Sequence, residues 1–312
     1  MKNMDKIFAG CFLIFLVINE NNVNHKILCG DKLIVVQDDS LIAKGAALQL
    51  VSNQFSFTEG PAADKKGNIF FTDQPNDKIW KYDVKGKLSV FLDKTGRSNG
   101  LYFSRSGNLL ACADEKDELW SISPKGKVTV LLKDYKGHRL NGPNDLWEDK
   151  KGGIYFTDPY YQRPYWDRKT PDIDEKVFYL PKGGNQPVPV AEDLLQPNGI
   201  VGTPDGKYLY IADIKDNKTY RYIINKDGSL QDKTLLIQQG SDGMTLDEKG
   251  NIYLTGSGGV TVYNKEGKKL LLITVPSKWT ANVCFGGKKR KTLFITASES
   301  VYTILMNVKG VE

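Results

Sequence analysis

The chain has 312 residues, with 43 Lys and Arg against 37 Asp and Glu and a net charge of +6. That length buries a substantial core without a disulfide or metal staple, and 26% charged with 40% hydrophobic residues excludes a wholly disordered chain. The basic excess is mild and spread out, which argues against the basic stripe of a nucleic-acid binder. Four Cys lie far apart with no CxxC pair, so neither a zinc ribbon nor a disulfide scaffold is expected, and Cys29, Cys112 and Cys284 read as unpaired.

Lys2 and Lys6 precede an apolar run over residues 7–18, IFAGCFLIFLVI, followed by the polar stretch NENNVNHK. The run is short for a bilayer span and has the layout of a secretory signal peptide. Residues 1–30 are therefore expected to be a leader and linker, with no stable membrane span in the mature protein. The expected compartment is periplasmic or secreted, and a cytoplasmic protein is the alternative. Cys11 lies ahead of most of the apolar run, whereas a lipobox cysteine follows it.

The rest of the chain repeats. Six segments share one pattern: EGPAADKKGNIFFTD from Glu59, NGLYFSRSGNLLACAD from Asn99, NDLWEDKKGGIYFTD from Asn144, NGIVGTPDGKYLYIAD from Asn198, DGMTLDEKGNIYLTG from Asp242 and NVCFGGKKRKTLFITA from Asn282. In the first five, a Gly stands eight positions after the opening residue. In the sixth that place falls on Arg290, inside the basic cluster Lys288–Arg290 and Lys291, which therefore reads as a solvated hairpin turn. The openings are separated by 40, 45, 54, 44 and 40 residues, a period that signals a propeller or solenoid. Within the first repeat, GPAAD, NIFFTD, KIWKYD and LSVFLD read as four strands joined by turns. Sheets of this kind bury both faces by packing radially. The expected fold is an all-β, six-bladed β-propeller with four antiparallel strands per blade, one domain over residues 31–312. The sixth repeat lacks a strand, and residues 47–51, before the first repeat, supply it and close the ring. The third repeat carries an insertion over residues 159–175 that is aromatic and charged, as loops shaping binding sites are.

Equal offsets place Glu59, Asn99, Asn144, Asn198, Asp242 and Asn282 at one height, at the start of the innermost strand of each blade. Asn-Gly and Asp-Gly also make turns, which accounts for three of these positions but not for Glu59, nor for six acids and amides in a row. A ring of carboxylates and amides suits one hard divalent cation. Ca²⁺ is the expected ion, since it takes such oxygen ligands; Zn²⁺, Mg²⁺ and Mn²⁺ are alternatives. Only His138 lies within the repeats, in the polar run KGHRLNGP, where it reads as a solvated loop residue. A histidine triad or a His-rich zinc site would have only that residue to build on.

FTEGPAAD, RSNG, LNGPND, QPNG, SDGM and CFGG, in this order and spacing, resemble the gluconolactonase / regucalcin (senescence marker protein) family over about residues 31–312. The resemblance implies six blades, one metal at the channel mouth and sugar-lactone hydrolysis. It implies Glu59, Asn144, Asn198 and Asp242 as metal ligands, and leaves Asn99 and Asn282 to the pocket. A lactone is a cyclic ester, and a cation both polarises its carbonyl and activates water. Asp242 is then the candidate general base. Arg97, Asn99, Tyr160, Trp279 and Asn282 are the candidate substrate contacts. Other readings stay open: an organophosphate or other ester hydrolase on the same site, or a metal-stabilised propeller that binds a small molecule or protein without catalysis. The expected partner is a small-molecule lactone and not nucleic acid. The oligomeric state is not legible.

Overall fold

The computed structural model describes residues 40–311, preceded by the backbone of short strands such as His25–Cys29 and Lys32–Val36. Residues 1–17, on which the expected leader rests, lie outside the described residues. Six blades of four antiparallel strands stand in a ring, and the sheet of the fifth is extended by two more strands. Blade 1 comprises Thr58–Ala63, Ile69–Asp73, Lys78–Tyr82 and Leu88–Asp93. The innermost strands of blades 2 to 6 are Leu101–Phe103, Leu146–Glu148, Pro197–Gly202, Met244–Leu246 and Asn282–Gly286.

The ring closes as the repeat count requires. Gln49–Ser52 pairs antiparallel with Ser300–Leu305, with Val301 opposite Ser52 and Thr303 opposite Gln49. Blade 6 thus joins three strands from the end of the chain to one from its beginning. One feature was not legible in the repeats: Lys32–Val36 meets the outer strand of blade 5, with Val36 opposite Leu271, and pairs in turn with His25–Cys29.

The second strand of each blade explains why the repeats read as unbroken apolar runs. Ile69–Asp73, Leu109–Ala113 and Ile154–Asp158 are buried along their whole length, because both faces pack against neighbouring blades. Phe71 and Phe294 are fully enclosed at the seam between blades 1 and 6, with ring centroids 5.4 Å apart. Burying each contributes about 1.5–3 kcal/mol. In all six blades the pairing of the third strand with the outer strand carries a register shift. Bulges of this kind twist an exposed edge away from pairing with another chain. The turn position eight residues after each opening is left-handed throughout, φ +88° at Gly67 and still +55° at Arg290, so the sixth repeat keeps the turn without the glycine. Cys112 and Cys284 are buried, and neither forms a disulfide. Among the described residues no helix is long and apolar enough to cross a membrane.

Candidate functional site

Each of the six ring residues stands at, or just before, the start of an innermost strand, and so at one end of the central channel. Glu59, Asn99, Asn144, Asn198 and Asn282 are buried, and Asp242 is half-buried. The glycine after four of them makes the ring tight. A Cβ on Gly60 would lie 2.1 Å from the Asn99 carbonyl oxygen, and one on Gly243 would lie 2.0 Å from the Asn282 side chain. Gly243 has no positive φ, so its place is set by close approach between blades rather than by turn chemistry. Threonines of the second strands hold the ring loops from behind. Thr72 donates to the Asn99 carbonyl at 3.1 Å, and Thr296 to that of Asn282 at 3.1 Å. Thr255 accepts from the Gly243 N–H at 2.8 Å and donates to the Ala281 carbonyl at 2.7 Å.

Electrostatically the ring is built for positive charge. Burial, then the neighbouring Asp242 and Asp145 carboxylates, push the Glu59 carboxyl well above its ordinary range, against a hydrogen bond from the Gly60 N–H at 2.8 Å and one from Asn282. Burial raises Asp242 to about 6, although Trp279, Asn198 and the Arg163 guanidinium all favour its charged form. Trp279 Nε1 donates to Asp242 Oδ2 at 2.5 Å. Asn198 donates from Nδ2 to the Tyr161 hydroxyl at 2.8 Å, while its Oδ1 is buried without a hydrogen-bond partner. A buried carbonyl oxygen left unpartnered costs about 1–3 kcal/mol. Two acids short of positive charge beside an acceptor short of a donor fit a hard divalent cation. Among the described residues no group of three or more His, Cys, Asp or Glu is placed to hold a metal, so a site here draws on amide oxygens as well as the two acids.

Above the ring lies a cavity of about 350 Å³ lined by Glu59, Asn99, Asn144 and Asp242, by Tyr161 and Arg163, and by Trp279. Asn282 lies behind Glu59 rather than in the wall. Two expected contacts are placed elsewhere. Arg97 is held by Glu115 at 3.3 Å and by the Pro75 carbonyl, with its guanidinium over Tyr165, and does not line the cavity. Tyr160 packs on Trp166 and donates to Gln162 at 2.5 Å; the next residue, Tyr161, reaches the cavity instead. His138 is exposed in its loop.

The 159–175 insertion supplies Tyr161 and Arg163 to the wall, and blade 2 explains how. Asp73 and Asp213, at the ends of their second strands, accept backbone N–H groups of the segment leading to their own ring residue, Asp73 from Ser56 at 3.0 Å and Asp213 from Gln196 at 3.0 Å. Ahead of the blade 2 ring residue, Asp77 of blade 1 takes that duty by accepting from the Thr95 and Arg97 N–H groups at 2.8 and 2.7 Å. Asp114 is thereby released to bind the insertion: Arg163 Nη2 at 2.7 Å, Tyr165 at 2.9 Å and, from blade 1, Gln74 at 3.0 Å. Arg168 anchors the far end on Asp117 at 2.6 Å and on the Leu140 carbonyl at 2.6 Å. Asp145 was also missed, although it follows Asn144 directly; it adds negative charge beside Glu59.

The profile of the family described as SMP-30/Gluconolactonase/LRE-like region matches residues 57–299. A gluconolactonase of Zymomonas mobilis subsp. mobilis is 28% identical over 305 residues, covering 87% of this chain and 85% of that protein. A 6-deoxy-6-sulfogluconolactonase of Pseudomonas putida is 32% identical over 117 residues, covering 35% of this chain and 40% of that protein. Among solved structures, a gluconolactonase of Xanthomonas campestris superposes with a TM-score of 0.80 at 25% identity, covering 86% of this chain and 91% of that one.

Proposed function

Since the chain belongs to the SMP-30/gluconolactonase/LRE-like family, we propose that it hydrolyses a lactone, a sugar lactone by the names of its relatives, with a divalent cation bound in the ring. The observation that carries this reading is the unpartnered Asn198 Oδ1 in a ring that holds two acids, buried Glu59 and half-buried Asp242, and no basic side chain. Glu59, Asn144, Asn198 and Asp242 are the residues that would hold the ion, and their all-oxygen donor set favours Ca²⁺. A bound cation supplies Lewis acidity and a lowered pKa for water. The chain's own residues do the rest. Trp279 fixes the Asp242 carboxylate through Oδ2, and Oδ1 takes the proton of the attacking water. The water oxygen bonds to the lactone carbonyl carbon, the ring C–O bond breaks, and the leaving alkoxide takes that proton from Asp242 to give the hydroxy acid. Arg163, pinned by Asp114, presents positive charge that favours the developing oxyanion. In this reading residues 31–312 act as one domain, and residues 1–30 direct export.

Hydrolysis of glucono-δ-lactone, followed by proton release, tests it. Treatment with EDTA should abolish turnover and added Ca²⁺ should restore it. Full turnover in EDTA would contradict the cation's part, and no turnover of any lactone with Ca²⁺, Mg²⁺, Mn²⁺ or Zn²⁺ would contradict the reaction.

A further inference from the structure

The face opposite the mouth has a charge pattern that lactone hydrolysis does not use. Innermost strands start at the mouth, so the turns joining first to second strands and third to outer strands all gather at the far end. These turns read ADKKGN, SRSGN, EDKKGG, TPDGK, DEKGN and GGKKRK, then DVKGK, SPKGK, PKGG, NKDG and NKEGKK. Every one carries Lys or Arg. Basic side chains outnumber acidic ones on this face, whereas acids outnumber bases around the mouth. The turn acids lie lower than the lysine heads, because they cap the turns: Asp64 accepts from the Lys66 N–H at 2.8 Å and Asp83 from the Lys85 N–H at 2.8 Å. Lys65, Lys66, Lys150, Lys151, Lys288 and Lys289 are all exposed. Lys265–Glu266, at 3.9 Å, is the one ion pair among the described residues that falls in these turns. The turns also brace one another across blades. Lys65 donates to the Arg105 carbonyl at 3.0 Å, and the Arg105 N–H donates to Glu148 at 2.8 Å.

Two further observations indicate the partner. The described chain enters the ring at this same face: residues 44–47 line one cavity with Gly67, Gly86 and Gly287, next to the start of the closing strand. A chain that keeps the apolar run of residues 7–18, with Lys2 and Lys6 at its head, is tethered to a bilayer from this same face. The exposed large apolar side chains of the described residues are Leu and Val, and aromatics near these turns, such as Phe91 and Phe103, are half-buried, so none stands clear of the surface for a base to stack on. We propose that this basic face docks on an anionic phospholipid bilayer, so that the mouth faces away from the membrane toward its substrate. Lysines near such a surface add their attraction to the summed field and lose it within a Debye length.

The full chain should be mixed with vesicles of phosphatidylcholine alone and with vesicles containing 30% phosphatidylglycerol, then sedimented at low and at 0.5 M salt. We expect at least about tenfold stronger partition onto the phosphatidylglycerol vesicles at low salt, with that preference lost at 0.5 M. Replacing Lys65, Lys66, Lys150, Lys151, Lys288 and Lys289 with Gln should erase the preference while thermal melting and lactone turnover stay at the parent level. Should that variant melt early, the salt response of the parent chain still decides. Equal partition onto both vesicles would overturn the proposal, because the apolar run alone would then account for binding. Retention of the preference in a folded Lys→Gln variant would also overturn it, as would preferential capture by duplex DNA that phosphatidylglycerol vesicles fail to compete away.

Discussion

Glu59 and Asp242 carry the tension of the site. Both carboxyls hold protons more tightly in the folded chain than in the unfolded one, where carboxylates titrate near 4. The cation-free fold therefore binds more protons than the unfolded chain above that pH, and its stability falls as pH rises through about 6, the Asp242 value. A bound cation replaces those protons. Melting temperature measured from pH 4.5 to 7.5 should decline more steeply in EDTA than in Ca²⁺, and Glu59→Gln should flatten the EDTA curve. Asp114, Asp117 and Asp158 are also raised by burial, but they act alike in both conditions, so the difference isolates the ring. Coincident curves would show that no cation meets these acids. Arg163→Lys keeps the charge but loses the fork that Asp114 holds by two donors at 3.0 and 2.7 Å. It should lower kcat/KM by about tenfold, the scale of one charge-assisted hydrogen bond, with cation affinity by calorimetry unchanged. The ring residues were legible because they recur at a fixed offset. Arg163 and Tyr161 were not, since their insertion interrupts the repeat, and no spacing rule says that Tyr161 rather than Tyr160 turns inward.

Among the elements, the second strands were legible as apolar runs but their threonines were not read as ring supports. FFTD, YFTD, YLTG and FITA repeat visibly, yet nothing in a single chain tells a core threonine from one that holds a neighbouring loop. Thr255→Val tests this role, because the isosteric change leaves the buried Gly243 N–H and Ala281 carbonyl without this partner. It should cost about 1–3 kcal/mol in denaturant unfolding and should weaken cation binding through Asp242, one residue before Gly243. Loss of stability with unchanged cation affinity would confine Thr255 to a structural part. The insertion follows the opposite logic: its conformation comes from Asp114 and Asp117 of blade 2, partners remote in sequence that only the closed ring brings within reach.

At the scale of the whole molecule, ring closure and the site depend on each other. The four proposed ligands come from blades 1, 3, 4 and 5, so a cation would add a tie to sheets that otherwise meet by side-chain packing and by hydrogen bonds such as that of Tyr155 on blade 3 to the Gly228 carbonyl on blade 4. Saturation at a hundred times Kd should add about 2.7 kcal/mol to unfolding stability. Deleting residues 31–52 should open blade 6 and expose the unpaired edge of Ser300–Leu305, giving an aggregating chain by light scattering; a soluble, cooperatively melting deletion would count against closure by that strand. The closing strand was legible because the sixth repeat is one strand short, whereas the basic face was not, since its lysines belong to separate turns until the blades set them side by side. In the proposed reaction one residue of the ring both holds the cation and takes the proton. The direct test is the kcat of Asp242→Asn for lactone hydrolysis at a cation concentration shown by calorimetry to saturate the variant. The expected result is a loss of at least about 10²-fold that excess cation does not rescue. Full turnover at saturation would show that Asp242 serves binding alone and would contradict it.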